Sequence, residues 1–261
     1  LGLVTESLRS LLLAGVLGLV HGHSTRGQGS LGSGESARRD AFVASLGLDP
    51  GSIVVPHQVH GDRVVRVDAA DAGRGRAGRD AVPDCDGLVN ARPGPVLFAQ
   101  GADCPLVLIA ARSGGHVAVV HSGWRGTVAR IAARAVARIG DPVDVGRTGA
   151  DGPPPTELVA AVFPGIGPCC FEIGPEVVRA FESAFGSVSA DWVLPASDGA
   201  AADRSRLDLH AAIVHTLVSA GLPPNAVERL DGCTVCDGRL WSHRASRGGT
   251  GRHGLVAATC P

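Results

Sequence analysis

The sequence predicts an α+β fold with mixed β-sheets, and three observations carry that expectation. Short β-branched runs and helix-period stretches are intermixed without strict strand–helix alternation, which argues against a doubly wound parallel sheet. A chain of 261 residues with 44% apolar content can bury a substantial core, and we expect one domain over 1–261. No internal repeat is visible.

The elements follow in order. The apolar run 11–20 is too short to cross a bilayer and lacks the small-residue cleavage site of a secretory signal. It reads as a buried element leading into an HGHSTR loop, with 22–34 a flexible Gly/Ser-rich loop. Residues 37–46 have helical spacing, with Gly47 as C-cap. Strands are expected at 52–55 and 64–67, on either side of PHQVHGD, and 69–84 reads as a long polar loop. Four more strands follow at 87–90, 95–100, 106–110 and 116–120. A GWRG turn leads to a helix over 127–139, and 141–155 reads as a Gly/Pro surface loop. A strand at 158–163 ends in PGIGPCC. Helices are expected at 175–185, with Pro near the first turn, and at 208–220, ending at Gly221. A short strand at 227–230 precedes a tail read as an Arg-rich loop.

Composition narrows the chemistry. The net charge of −1 offers no broad basic field for nucleic acid or an anionic membrane, so neither is expected as a partner. Lys, Met and Tyr are absent, so every basic side chain other than His is Arg. Schiff-base chemistry and a P-loop lysine are thereby excluded, and phosphate must be held by Arg forks, helix N-termini or backbone amides. Seven cysteines, spread widely and odd in number, point to a reducing cytoplasm rather than a secreted disulfide framework.

The most informative stretch is 98–124, FAQGADCPLVLIAARSGGHVAVVHSGW. Cys104 and His121 each adjoin an apolar, strand-like run, and His60 lies upstream in PHQVHGD. Two imidazoles and one thiolate on three segments suggest a three-ligand metal site with an open position, as a catalytic zinc requires. The residues alone leave open a buried core thiol, or a Cys104 nucleophile with His121 as base. In an extended segment His57 and His60 would point to opposite faces, so they should not share an ion. Asp103 could orient a ligand or cap a turn. Gly123 permits close backbone approach, and Arg125 at the strand-to-helix turn is a possible phosphate contact. Cys233-x-x-Cys236 resembles half a zinc knuckle or a redox pair but shows no matching second pair or thioredoxin-like context, and adjacent cysteines such as Cys169 and Cys170 rarely chelate one ion, so both pairs read as packing residues. RASRGGTGRHG gathers Arg244, Arg247 and Arg252 into a loop suited to anions or to solvent. A zinc deaminase signature of H-x-E followed by P-C-x-x-C is absent. There is no Met for a blue-copper axial ligand, and His21-x-His23 is the only H-x-H pair.

HQVHG, DCDGLV, GADCPLVLI, AVVHSGWRGT, PGIGPCCFEIG and CTVCDG…RASRGGTGRHG occur in that order. In this the chain resembles the bacterial laccase-domain family, named for polyphenol oxidase activity and now regarded as purine nucleoside phosphorylases. The resemblance runs from about His21 to the C-terminus. It implies helix, sheet, sheet and helix layers (α/β/β/α) and a zinc ion, with copper possible, on His60, Cys104 and His121. It also implies phosphorolysis of adenosine, inosine and methylthioadenosine, with adenosine deamination as a second activity. Purine nucleoside and phosphate would be the partners of a monomer or small homo-oligomer. Arg26, Arg125 and Arg252 are the expected substrate contacts, although the loop after Arg26 is shorter than the family pattern. The alternatives are a Cys-His hydrolase or amidase in peptidoglycan precursor editing, a copper-dependent polyphenol oxidase, and a non-catalytic metal-binding module.

Overall fold

A computed structural model describes residues 6–78, 80–141, 152–196, 199, 201, 203–247 and 249–260. Its strands are β1 (Leu19–His23), β2 (Val64–Arg66), β3 (Gly87–Asn90), β4 (Leu97–Gly101), β5 (Leu106–Ala111) and β6 (Val117–His121). They continue with β7 (Leu158–Val162), β8 (Glu172–Ile173), β9 (Val193–Pro195), β10 (Ser205–Leu207), β11 (Val227–Arg229) and β12 (His253–Thr259). The helices are α1 (Ser36–Ser45), α2 (Trp124–Val128), α3 (Ile131–Gly140), α4 (Pro175–Phe185) and α5 (Leu209–Ser219).

A six-stranded mixed sheet runs β11-β7-β5-β6-β3-β2, and a three-stranded sheet runs β1-β12-β4. The third sheet, β8-β10-β9, is small. All of β5 is buried, so it shows no polar face, and its period of two divides the core instead. Val107, Ile109 and Ala111 pack with Ile131, Val136 and Ile139 of α3 and with Ile213 and Leu217 of α5. Leu106, Leu108 and Ala110 face Leu97, Ala99, Leu255 and Ala257 of the three-stranded sheet. The alternate residues of that sheet, Phe98, Val256 and Ala258, pack against Phe42 and Val43 of α1. The layers are therefore helix, sheet, sheet and helix, as the resemblance implied. Truncating a residue such as the fully buried Leu108 to alanine costs about 2–5 kcal/mol.

Several local expectations are corrected. The run 11–20 is only partly buried: Leu13 and Val16 enter the core, whereas Leu11 and Leu17 are 86% and 73% exposed. HGHSTR is no loop, because His21 and His23 lie on β1 and Arg26 opens a short 3-10 turn. Residues 52–55 carry a single isolated bridge, from Val54 to Leu97, not a strand. The GWRG turn is itself helical, and the helix expected over 127–139 is split at Arg130, whose φ of 60° is left-handed. The tail is not all loop. HGLVAAT forms β12, which pairs with both β1 and β4 at the centre of its sheet. Most of the loop expected at 141–155 lies outside the described residues.

Buried neutral histidines make this fold sensitive to acid. His21 Nε2 accepts the Ser10 amide at 3.1 Å, and His210 Nε2 accepts the Gly165 amide at 3.0 Å, so each ring must keep that nitrogen unprotonated. Burial, reinforced by Arg9 and Arg229 respectively, lowers both to about 4. Burial and then Arg252 lower His253 to about 3. The unfolded chain protonates these rings near 6.5, so it binds more protons than the folded chain between there and the folded values. Stability must fall as pH drops through that window, by up to about 2 kcal/mol per ring between pH 7 and pH 5. Urea midpoints at the two pH values test this. Equal midpoints would show that the rings are not neutral and buried.

Candidate metal centre and its cleft

Strand register brings the first two donors together. In the β5–β6 ladder Leu106 stands opposite His121, so Cys104, two residues before Leu106, arrives beside the end of β6. A tight turn makes this possible: Asp103 has φ 92°, and a Cβ on Gly101 would lie 2.8 Å from the Cys104 carbonyl oxygen. His60 comes from the loop before β2 and also takes a left-handed φ of 60°. Ligating atoms of His60, Cys104 and His121 lie within 4.8 Å of one another. His60 is exposed, Cys104 is intermediate and His121 is buried.

A buried carboxylate absent from the expected site, Asp86, organises this arrangement. Its Oδ1 accepts from His121 Nδ1 at 2.8 Å and from the His60 amide at 3.0 Å. Its Oδ2 accepts the amides of Val59 and Gly61 at 3.0 and 2.8 Å. The residue just before β3 therefore folds the His60 loop and turns His121 so that Nε2 faces away from the carboxylate. Burial opposes its ionisation, but these donors outweigh that cost and hold its carboxyl below the usual range. The only sequence signal for Asp86 was its place in DCDGLV.

Burial also opposes ionisation of Cys104, yet the imidazoles of His121 and His60 pull its thiol down to about 6. His121, although buried, is pushed up to about 9 by Cys104 and Asp86. The donor set suits a thiophilic divalent ion, which requires a thiolate and imidazole nitrogens. Gly123 shows that space is reserved here. Its backbone is ordinary (φ −68°, ψ 173°), but an added Cβ would stand 2.8 Å from Cys104 Sγ and 3.4 Å from His60 Cδ2.

The donors open into a cavity of about 600 Å³ lined also by Gln100, Trp124, Phe171, Arg125, Arg244 and Arg252. Arg26 lies elsewhere. Its Nε donates to the Leu240 carbonyl at 2.8 Å, its guanidinium covers Trp241, and it lines an adjoining cavity of about 730 Å³. The two cavities share Gln100 and Arg252. Arg244 was noticed in the tail but not placed at the site. It is brought there by Asp103, whose carboxylate accepts from Thr234 Oγ1 (2.5 Å), Ser242 Oγ (2.7 Å) and the Arg244 amide (2.7 Å). Asp103 thus ties the tail over the site. His57 stays outside it, bonded to Asp84 at 3.0 Å. Arg125 stacks on Trp124.

Residues 35–259 match the family model described as multi-copper polyphenol oxidoreductase laccase. Adenosine deaminase RL5, from an unknown prokaryotic organism, is 35% identical over 207 residues, covering 76% of this chain and 71% of that protein. Purine nucleoside phosphorylase YlmD of Geobacillus stearothermophilus is 34% identical over 197 residues, covering 75% and 68%. The crystal structure of YlmD from Geobacillus stearothermophilus matches with a TM-score of 0.83 at 27% identity, over 100% of this chain and 98% of that one. Bacillus licheniformis hypothetical protein YfiH gives 0.80 at 26% identity, over 93% of each chain. With 225 contiguous positions inside the family model and relatives above 30% identity, the chain belongs to the multi-copper polyphenol oxidoreductase laccase family.

Proposed function

We propose that the protein holds a zinc ion on His60, Cys104 and His121 and catalyses phosphorolysis of purine nucleosides, with adenosine deamination as a second activity. The observation that carries this reading is a three-donor centre opening into a cleft lined by Arg125, Arg244 and Arg252, in a chain without lysine. Zinc held by His60, Cys104 and His121 would supply a Lewis acid to the cleft.

The side chains do the rest. Asp86 holds the proton on His121 Nδ1, which leaves Nε2 as the donor beside Cys104. Guanidinium groups in the cleft match phosphate oxygens in pairs and neutralise their charge. Gln100 Oε1, buried and unpartnered among the described residues, is an acceptor for a hydroxyl or amino group of the nucleoside. In phosphorolysis a phosphate oxygen bonds to ribose C1′ while the bond from C1′ to the purine nitrogen breaks. The base leaves with that electron pair and takes a proton. In deamination water displaces the amino group of adenosine instead. Relatives carry names for both activities, which supports pairing them in one site.

The Cys-His hydrolase reading is favoured by the closeness of Cys104 to His121. A nucleophilic thiol needs one base, however, and here two imidazoles face a single sulfur, which suits an ion better. Incubation of the zinc-loaded protein with adenosine, with and without phosphate, decides among these outcomes. Adenine formed only with phosphate is the expected result, inosine formed with or without phosphate reports the deamination, and adenine release that ignores phosphate would sink phosphorolysis. Arg252→Gln should raise the KM for phosphate about tenfold to a hundredfold, the loss of one charge-assisted contact. An unchanged KM would remove Arg252 from the phosphate site.

A further inference from the structure

We propose that Cys169, Cys170, Cys233 and Cys236 form a second metal site, a closed tetrahedral zinc site with a structural role. In sequence, Cys233-x-x-Cys236 lacks a second pair and adjacent cysteines such as Cys169 and Cys170 rarely chelate one ion, so both read as packing residues. Folding supplies the missing partner, since the sulfurs of all four lie within 4.8 Å of one another.

Two tight turns present these thiols. In the first, the amides of Cys170 and Phe171 both donate to the Gly167 carbonyl, at 3.0 and 2.9 Å, which winds the vicinal pair into one helical turn. In the second, the amides of Cys236 and Asp237 both donate to the Cys233 carbonyl, at 3.0 and 2.8 Å. Cys236 Sγ lies 3.4 Å from Cys170 Sγ and 3.8 Å from Cys169 Sγ. Zinc–sulfur bonds near 2.3 Å give a tetrahedron with edges of about 3.8 Å, so these separations match one ion among several sulfurs. A disulfide would pair two sulfurs and leave the others apart, whereas here one sulfur approaches two. The Gly167 amide donates to Cys233 Sγ at 3.2 Å, the kind of contact that stabilises a thiolate. Gly167 also allows the approach, because a Cβ there would lie 3.1 Å from Cys233 Cβ and 3.4 Å from Cys169 Sγ. Four thiolates with no open position make a structural site rather than a catalytic one.

Its position indicates what the ion would hold together. Gly165 and Cys233 form a bridge, and the Thr234 amide donates to the Gly165 carbonyl at 2.9 Å. One clamped loop carries Ile166 and Phe171 to the cleft wall, and the other carries Thr234 to Asp103, the neighbour of Cys104. The clamp joins two walls of the cleft that are remote from each other in sequence.

The test begins with the unaltered protein, purified with zinc and without chelator. Cys169 and Cys236 are exposed, so as free thiols they would be alkylated at once. We expect peptide mapping to show all four cysteines protected until a strong chelator is added, and reactive afterwards. A second measurement uses Cys104→Ala to empty the catalytic centre. That variant should retain about one zinc per chain, and adding Cys233→Ser should remove it. Cobalt loaded into Cys104→Ala should give an intense thiolate-to-metal charge-transfer band, absent from the double variant. Immediate alkylation of Cys169 and Cys236 in the zinc-loaded protein would overturn the proposal. So would a metal-free Cys104→Ala, or a Cys170–Cys236 disulfide as the cause of protection.

Discussion

Cys104→Ser is expected to lose zinc from the proposed catalytic centre and nucleoside turnover together. The substitution barely changes side-chain volume, but it replaces a soft thiolate with a neutral hydroxyl that binds zinc poorly. Turnover should fall by at least about a thousandfold, because several kcal/mol of Lewis-acid stabilisation vanish and each 1.4 kcal/mol is about tenfold. The fold should survive with a nearly unchanged melting temperature. Cys104 lines the cleft and belongs to none of the apolar clusters that form the core in the sheet and helix layers. Metal analysis, melting and turnover on one preparation decide the matter. Full occupancy of the centre with lost turnover would transfer the chemistry to the thiol as a nucleophile. A variant that loses zinc and unfolds would mean that the centre is structural.

Asp86→Asn should be the most damaging change that touches no expected ligand. The carboxylate receives four donors, two on each oxygen, and an amide can accept on one oxygen only. Whichever way the new side chain lies, its amino group confronts two buried donors. The expected cost is about 2–4 kcal/mol of stability, the scale of two buried donors left unpaired. His121 also loses the charge that orients its ring, and His60 loses the anchor of its left-handed turn. Zinc affinity of the centre should therefore drop about tenfold to a hundredfold. Titration with a chromophoric chelator measures the affinity, and urea unfolding measures the stability. A variant matching the parent in both would show that Asp86 does not organise the site.

Much of the site was legible because its signals are local. His60, Cys104 and His121 each stand beside an apolar strand or a glycine turn in an unusual string of residues, and strand register then makes their convergence geometrically simple. Asp86 was not legible. A lone carboxylate before a strand looks like any turn residue until the loop of Val59, His60 and Gly61 folds onto it. The setting of Arg26 was not legible for a related reason, since a flexible-looking loop is ordered against Trp241 and the Leu240 carbonyl, in the adjoining cavity.

By itself the sequence determined the α+β class, the helices at Pro175–Phe185 and Leu209–Ser219, and the four central strands, because period and capping chemistry are properties of neighbouring residues. It also determined that any phosphate must be met without lysine. Only the tertiary structure decided that HGLVAAT becomes a central strand, because its partners Leu19–His23 and Leu97–Gly101 lie far away in sequence. Likewise only the folded chain brought Cys169 and Cys170 to Cys233 and Cys236. Convergence across more than sixty residues depends on two loops meeting through the bridge at Gly165, and no local pattern encodes that meeting.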